Sequence, residues 1–369
     1  MESPTAPEGQ ELASGSIVPA RRPGGTDVAR LAGVSQKTVS RVMNGEVHVK
    51  EEVRLRVLAA ARELGYRRNN QARALNSGRT NRIGVVSLGT ALYGPSSSLV
   101  AIERTARSTG YGLSIVNTFE GDAGGVSGAI NSLLEEGVDG IVLSEPIDEG
   151  TSPIRLDVPV LTMGPFPGLT APVILNAGGP GDDAGYTATR HLITLGHRQI
   201  RHLAGPQRWW SARDRAEGWS RALLEANLLA VPFIEGDWTP ASGYRAGRLL
   251  AADLDLTAVF AANDDMAIGL IRALTEAGRR VPHDVSVIGF DDIPSAAYLH
   301  PPLTTVAGEF TSTAVRGLRR LIARIEHPEA AVISDDPADP VKLIMRESTA
   351  PVLAPEAADP PRRRRRPAQ

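Results

Sequence analysis

The chain has 369 residues, 42% of them hydrophobic and 22% charged, and a formal net charge of −2. That length can hold two or three domains with substantial cores, and the composition excludes disorder of the whole chain. With no cysteine, a disulfide framework, a thiolate nucleophile and a Cys-ligated zinc site are excluded.

Charge is unevenly placed. Residues 1–20 carry −3, residues 21–79 carry +8, and everything beyond carries −7, which predicts a compact basic module joined to a larger acidic one. Residues 1–24, rich in Pro, Gly, Ser and Glu, read as a disordered leader without the apolar run of a signal peptide. No later segment reaches about 18 uninterrupted apolar residues. A soluble, intracellular protein without a membrane partner is expected.

From Thr26 to Leu64 the apolar spacing predicts three short helices, carrying Val28, Leu31 and Ala32, then Val39, Val42 and Met43, then Val53, Val57, Ala60, Ala61 and Leu64. Ser35 suits an N-cap, and Gly65 suits the residue just past a helix end. Gly25 to Asn44 has helix-turn-helix spacing: Ala29 is small where helices cross, Gly33 permits positive φ in the turn, and Val39 plugs the second helix onto the first. The rest of that second helix is polar, a face suited to base edges and phosphates. The alternative is a solvated surface.

Beyond Ile83 the pattern alternates. Apolar runs such as "IGVVSL", "LSIVNT", "GIVLSE", "VPVLTM", "IRHLAG", "TAVFAAND" and "VSVIGFDD" are separated by helical stretches such as Gly185 to Leu195, Asp214 to Ala226, Ser242 to Ala251 and Asp264 to Ala277. Strand and helix in alternation over this length predict parallel sheets with covering helices, in two lobes. The end, "APEAADPPRRRRRPAQ", reads as disordered. Its run Arg362 to Arg366 is either a solvated tail or a source of nonspecific DNA affinity.

"DVARLAGVSQKTVSRVMNG" followed by "RVLAAARELGYRRNNQARALNSGRTNRIGVV" resembles the LacI/GalR family of bacterial transcriptional regulators, from Asp27 to about Pro351. The resemblance implies an all-α helix-turn-helix headpiece (25–68), a hinge helix or linker (69–80), and a two-lobed α/β core like the periplasmic binding proteins, with parallel sheets (81–352). A disordered Arg-rich tail (353–369) follows. It places Gln36, Lys37 and Arg41 at base edges of the major groove and Ser35, Thr38 and Ser40 near phosphates, with Asn44 also at the DNA. In "NNQARALNSG" it implies a hinge helix in the minor groove, with Asn69 and Ala72 against DNA and Leu75 as the wedge; Leu75 packing on the body is the alternative. The sequence departs from the family at Gly24 and Gly25, Lys50 and Arg68, where two helix caps and a proline are usual.

The same resemblance implies a ligand between the lobes, at the carboxyl ends of strands. It points to Leu92, Pro95, Asp183, Trp209, Ser211, Arg215, Trp238, Asn263, Asp291 and Phe310. Arg, Asp and Asn offer donors and acceptors for vicinal hydroxyls, and Trp or Phe an apolar face for a pyranose ring, so a carbohydrate effector is expected. Alternatively, Arg215 pairs with Asp214 or Glu217 at the surface, Asn263 is only a helix cap and Trp238 is only core. Trp209 replaces a small residue of lactose-type members; either it or Trp210 faces the cleft.

Catalysis is not expected. Asp264/Asp265 and Asp291/Asp292 are adjacent pairs whose side chains point apart, the seven histidines lack metal-ligand spacing, and no nucleophile elbow or P-loop occurs. Neither cofactor nor metal is expected. The tail lacks the leucine heptads of tetrameric relatives. The expectation is a cytoplasmic, nucleoid-associated homodimer that binds a near-palindromic double-stranded operator and is released by a small sugar. A corepressor-dependent regulator with a non-sugar small-molecule effector is the alternative, and a sugar-binding protein, which would share the fold but needs export and no DNA module, is a lesser one.

Overall fold

The computed structural model describes residues 23–43, 45–46, 48–66, 78–118, 125–144, 147, 153–177, 182–329 and 340–352. Two compact units divide at Arg79 and Thr80. Residues 1–22 of the expected leader, Asn44, the hinge positions Asn69, Ala72 and Leu75, and the arginine-rich tail lie outside the described residues, whereas Gly24, expected in the leader, is the N-cap of the first helix.

The first unit is three helices, α1 (Gly25–Ala32), α2 (Gln36–Met43) and α3 (Glu51–Glu63). Their core is Val28, Ala29, Ala32, Val39, Val42, Val57, Ala60 and Ala61, and each buried valine contributes roughly 1.5–3 kcal/mol. Leu31 stays outside this core at 47% exposure, because α2 and α3 cover only the face carrying Val28, Ala29 and Ala32. Gly33 turns the chain at φ 64°, and the Val34 amide donates back to the Ala29 carbonyl at 3.0 Å. Ser35 Oγ caps α2 by accepting the Thr38 amide at 3.1 Å. At α1 the Gly24 amide donates to Asp27 Oδ2 at 2.9 Å, which supplies half of a capping box where a threonine is absent. Lys50 gives α3 no side-chain cap.

The second unit holds two sheets. The first has the order β2 (Gly112–Thr118), β1 (Arg82–Leu88), β3 (Gly140–Ser144), β5 (Val160–Thr162), β7 (Ile174–Asn176), all parallel. The second has β9 (Ile234–Glu235), β8 (Ile200–Ala204), β10 (Ala258–Ala261), β11 (Ser286–Asp291) and β12 (Thr304–Ala307), also parallel, with antiparallel β13 (Lys342–Ile344) at its edge. β4 (Ile154–Arg155) and β6 (Leu169–Thr170) form a separate short pair. Successive residues serve opposite faces: Val85 packs with α4 (Tyr93–Ser108) and Val86 with α5 (Gly125–Glu135). In β10, Ala258 and Phe260 meet α6 (Asp182–Thr194) and α7 (Trp210–Glu225), while Val259 and Ala261 meet α8 (Pro240–Leu250) and α9 (Asp264–Glu276).

The lobes exchange chain. After β12 of the second sheet, α10 (Phe310–Glu326) returns to the first, where Ala314, Leu318, Leu321, Ile322 and Ile325 pack against Val85, Val142 and Leu161. β13 then goes back to the second sheet. The strand ends of both sheets consequently face one crevice.

Candidate functional site

On α2, Gln36, Lys37 and Ser40 are exposed, Thr38 and Arg41 half-buried, and Ser35 exposed just ahead of the helix. Val39 and Val42 hold the opposite face in the core. Ser35 is already used twice, as the cap and in a 2.9 Å contact between its hydroxyl and that of Thr38. Arg41 Nε donates to Glu46 Oε2 at 2.7 Å.

In the second unit a cavity of about 710 Å³ opens between the two sheets, and all ten residues selected from strand ends line it. Leu92 and Pro95 come from the start of α4, Trp209, Ser211 and Arg215 from α7 and its approach, Trp238 from the loop after β9, Asn263 and Asp291 from the ends of β10 and β11, and Phe310 from the start of α10. Asp183, on α6, is at the rim, where Arg221 Nη2 faces it at 3.2 Å. Trp209 and Trp210 both line the cavity. Trp209 is buried edge-to-face against Trp238, ring centroids 5.5 Å apart, whereas Trp210 is half-buried with the Arg213 guanidinium 4.8 Å from its ring centre.

Three backbones make this wall possible. A Cβ on Gly205 would fall 2.2 Å from the Trp238 ring, and Cβ atoms on Gly94 and Gly308 would fall 2.8 and 2.2 Å from Phe310. Trp238, Asp291 and Asp292 have φ of 69°, 113° and 56°, a region that costs non-glycine residues energy and recurs where side chains are held for a ligand. Asn263 does cap α9, accepting the Met266 amide at 2.9 Å, and its Nδ2 donates to the Trp238 carbonyl at 3.0 Å. It therefore holds the strained Trp238 turn in place.

The centre of the site is a buried charge pair. Arg215 does not reach the surface for Asp214 or Glu217: it is 7% exposed, its Nη1 donates to the Ala262 carbonyl at 2.5 Å, and its Nη2 faces Asp291 Oδ1 at 3.8 Å. Its guanidinium lies 3.6 Å from the centre of the Phe290 ring and 5.5 Å from that of Trp238. Burial lowers the Arg215 pKa, against Asp291. Burial likewise raises that of the Asp291 carboxyl, against Arg215. Among the described residues the two side-chain oxygens of Asp291 make no hydrogen bond, so the carboxyl group keeps hydrogen-bonding capacity at the cavity wall. The adjacent acids do diverge. Asp264 is buried and accepts the Ile293 amide at 2.9 Å and the Thr305 hydroxyl at 2.7 Å, and Asp292 pairs with Arg346 at 2.6 Å.

Comparison with known proteins places both units. Residues 26–69 match the model of the bacterial regulatory proteins of the lacI family, and residues 189–349 match the periplasmic binding protein-like domain. The lactose operon repressor of Escherichia coli strain K12 is 33% identical over 328 residues, covering 88% of this chain and 89% of the relative. The chain belongs to the LacI family. The HTH-type transcriptional repressor PurR of Mannheimia succiniciproducens is 35% identical over 313 residues, 82% of this chain and 92% of the relative. Among solved structures, the Lac repressor dimer bound to operator and the anti-inducer ONPF matches with a TM-score of 0.75 at 30% identity, covering 89% of this chain and all (100%) of that one. The complex of the regulator CelR with cellobiose matches with 0.62, 30%, 89% and 100%. This LacI-family chain is a DNA-binding transcriptional regulator and not an enzyme.

The family's strand-end pattern led to the ten residues, but not to what joins them. Tyr93, Phe310 and Phe290 are linked edge-to-face at 6.2 and 6.4 Å, and Phe290 leads through Arg215 to Trp238 and Trp209. Trp209 in turn forms an isolated backbone bridge with Ile147, beyond β3 of the other sheet. The signal that was available is the glycine in "LYGP", "LAGP" and "AGEF", each beside or beneath a ring.

Proposed function

We propose that this regulator is a cytoplasmic homodimeric repressor of carbohydrate-utilisation genes, released from its operator by a small neutral sugar or oligosaccharide bound in the cavity. The observation that carries the reading is Asp291: a buried carboxyl whose side-chain oxygens have no hydrogen bond among the described residues, held opposite Arg215 in a cavity lined by Trp209, Trp210 and Trp238. Such a group calls for ligand donors, and a sugar supplies paired hydroxyls together with an apolar C–H face. The match to a cellobiose-bound regulator supports the same ligand class. On the headpiece, Gln36, Lys37 and Arg41 are assigned to base edges and Ser35, Thr38 and Ser40 to the phosphates beside them. Asn44, Asn69, Ala72 and Leu75 keep their assignment to DNA from the sequence alone.

Calorimetry of the full chain against mono- and disaccharides, combined with operator binding, tests the reading. Arg215→Ala should weaken the active sugar at least tenfold, since charge-assisted hydrogen bonds in a partly dehydrated cleft contribute about 1.5–3 kcal/mol, while operator binding persists. Asp291→Asn should lose a hydroxyl acceptor and respond likewise. If every saccharide that acts on the parent acts equally on both variants, the effector binds elsewhere. If a sugar tightens the operator complex, the cavity assignment stands and the ligand is a corepressor.

A further inference from the structure

We propose that Asp139 is a positioning residue that anchors the chain where it enters the core from the DNA-binding unit, so that operator binding starts from a connection already fixed at its root. The proposal goes beyond the carbohydrate reading and does not depend on it.

The two units divide between Arg79 and Thr80, and β1 begins at Arg82. Thr80 and Asn81 are therefore the first residues of the core, ahead of its first strand. One side chain takes both of their amides. Asp139 Oδ1 accepts the Thr80 amide at 2.9 Å and the Thr80 hydroxyl at 3.0 Å, and Oδ2 accepts the Asn81 amide at 2.7 Å. In return the Asp139 amide donates to the Arg82 carbonyl at 2.8 Å. Asn81 has φ 53°, a conformation that asparagine adopts more readily than most residues, and its carbonyl accepts the Gly112 amide at 2.8 Å. Asp139 is itself held firmly, between Val138, which is buried in the core beside α5, and Gly140, the first residue of β3. Glu136, in the same turn, accepts from Arg82 Nη1 at 3.3 Å. The turn between α5 and β3 thus grips three successive residues at the root of β1.

The chemistry calls for a carboxylate. Its two oxygens are acceptors only, and hydrogen bonds to an ionised group are the stronger kind. An asparagine offers a single acceptor oxygen and could not serve both amides. Without Asp139 the two amides turn to water, and Thr80 and Asn81 join the connection as further residues free to move. Fixing the backbone of one residue costs roughly tenfold in an equilibrium constant. Operator binding would then carry that cost, whereas an anchor formed beforehand removes it. Asp139 does not line the cavity, so its contribution is separable from ligand contact.

The experiment titrates the full chain, Asp139→Ala and Asp139→Asn with a DNA duplex that the parent selects from a random pool. Hydrogen exchange across residues 79–83 and melting temperature are recorded on the same preparations. Val142→Ala, a buried position within β3, is the control for loss of stability alone. Asp139→Ala is expected to speed exchange at Thr80 and Asn81 and to weaken operator binding at least tenfold. Asp139→Asn, which keeps one acceptor, should fall between it and the parent. Two glycines inserted between Arg79 and Thr80 should also weaken operator binding. Adding Asp139→Ala to that insertion should cost less than it does alone, because the anchor then holds a chain that is already slack. Parental operator binding in Asp139→Ala overturns the proposal, since the bonds then serve only the start of β1. An equal operator loss in Val142→Ala at an equal fall in melting temperature overturns it too, because stability alone then accounts for the effect. Unchanged exchange at residues 80 and 81 removes the anchor itself. If Asp139→Ala does not fold, Asp139→Asn decides by the same three readouts.

Discussion

His202 is one residue out of reach of the ligand yet bound to the site's energetics. Its ring stacks on Phe260 at 4.7 Å and on Trp219 at 5.5 Å, and its Nδ1 is 2.9 Å from the Phe260 carbonyl. Burial pushes its pKa from 6.5 down to about 4, and the nearby Arg215 pushes in the same direction. The folded state thus prefers the neutral ring, and the stability this gives is full above pH 6.5 and is lost as pH falls toward 4. Asp264 opposes it: burial raises its carboxyl to about 7, so its contribution is full at low pH and lost as pH rises through 7. The useful measurement is therefore a difference. His202→Phe should keep the stack and remove up to about 3 kcal/mol of the stability lost between pH 6.5 and 4, read as a flatter dependence of melting temperature on pH than in the parent. Gly205→Ala makes a steric test at the same scale: its methyl must displace the Trp238 ring, and weakened ligand binding with intact operator binding is the expected result. Arg215 and Asp291 were legible in the sequence because a family pattern fixed their strand ends. Their mutual burial was not, since nothing in "SARDR" or "GFDD" shows that Phe290 lies beneath the guanidinium.

Among the elements, α2 was the most readable, because Val39 and Val42 define a buried face and every polar residue follows from it. The sequence did not disclose that Arg41 is held by Glu46 across the turn after the helix. The side chains are 40% and 45% exposed, and such pairs contribute up to about 1 kcal/mol. Glu46→Gln should accordingly tighten operator binding by up to about fivefold at low salt, with the gain shrinking as salt rises. Arg41→Ala should cost about 1–3 kcal/mol at the specific site and relax preference at one base pair per half-site. A loss equal on all DNA sequences would place Arg41 on phosphate alone. α10 was the least readable element. Its apolar spacing is ordinary for a helix, and only the packing of Ala314, Leu318 and Leu321 against the first sheet reveals that it has changed lobes.

Across the whole molecule, the alternation of strands and helices announced two parallel sheets, whereas the exchange of chain between them depends on contacts far apart in sequence. That exchange places Gly308, Glu309 and Phe310 at a described crossing, with Phe310 touching both Tyr93 and Phe290. On the proposed reading, ligand and operator act on one equilibrium, and the factor by which the effector changes operator binding should equal the factor by which operator changes effector binding. Measuring both affinities on one preparation checks this; unequal factors would mean that the two sites are not linked through binding alone. The placement of tryptophan offers a further handle. All four indoles lie between Trp209 and Trp238, three of them on the cavity wall, and residues 1–79 contain none. Tryptophan emission from the intact chain is therefore a lamp fixed inside the effector core and dark in the headpiece. A sugar should change it directly. The unit assigned to operator binding holds no indole, so on the proposed reading an operator-dependent shift in emission is an optical record of the coupling itself.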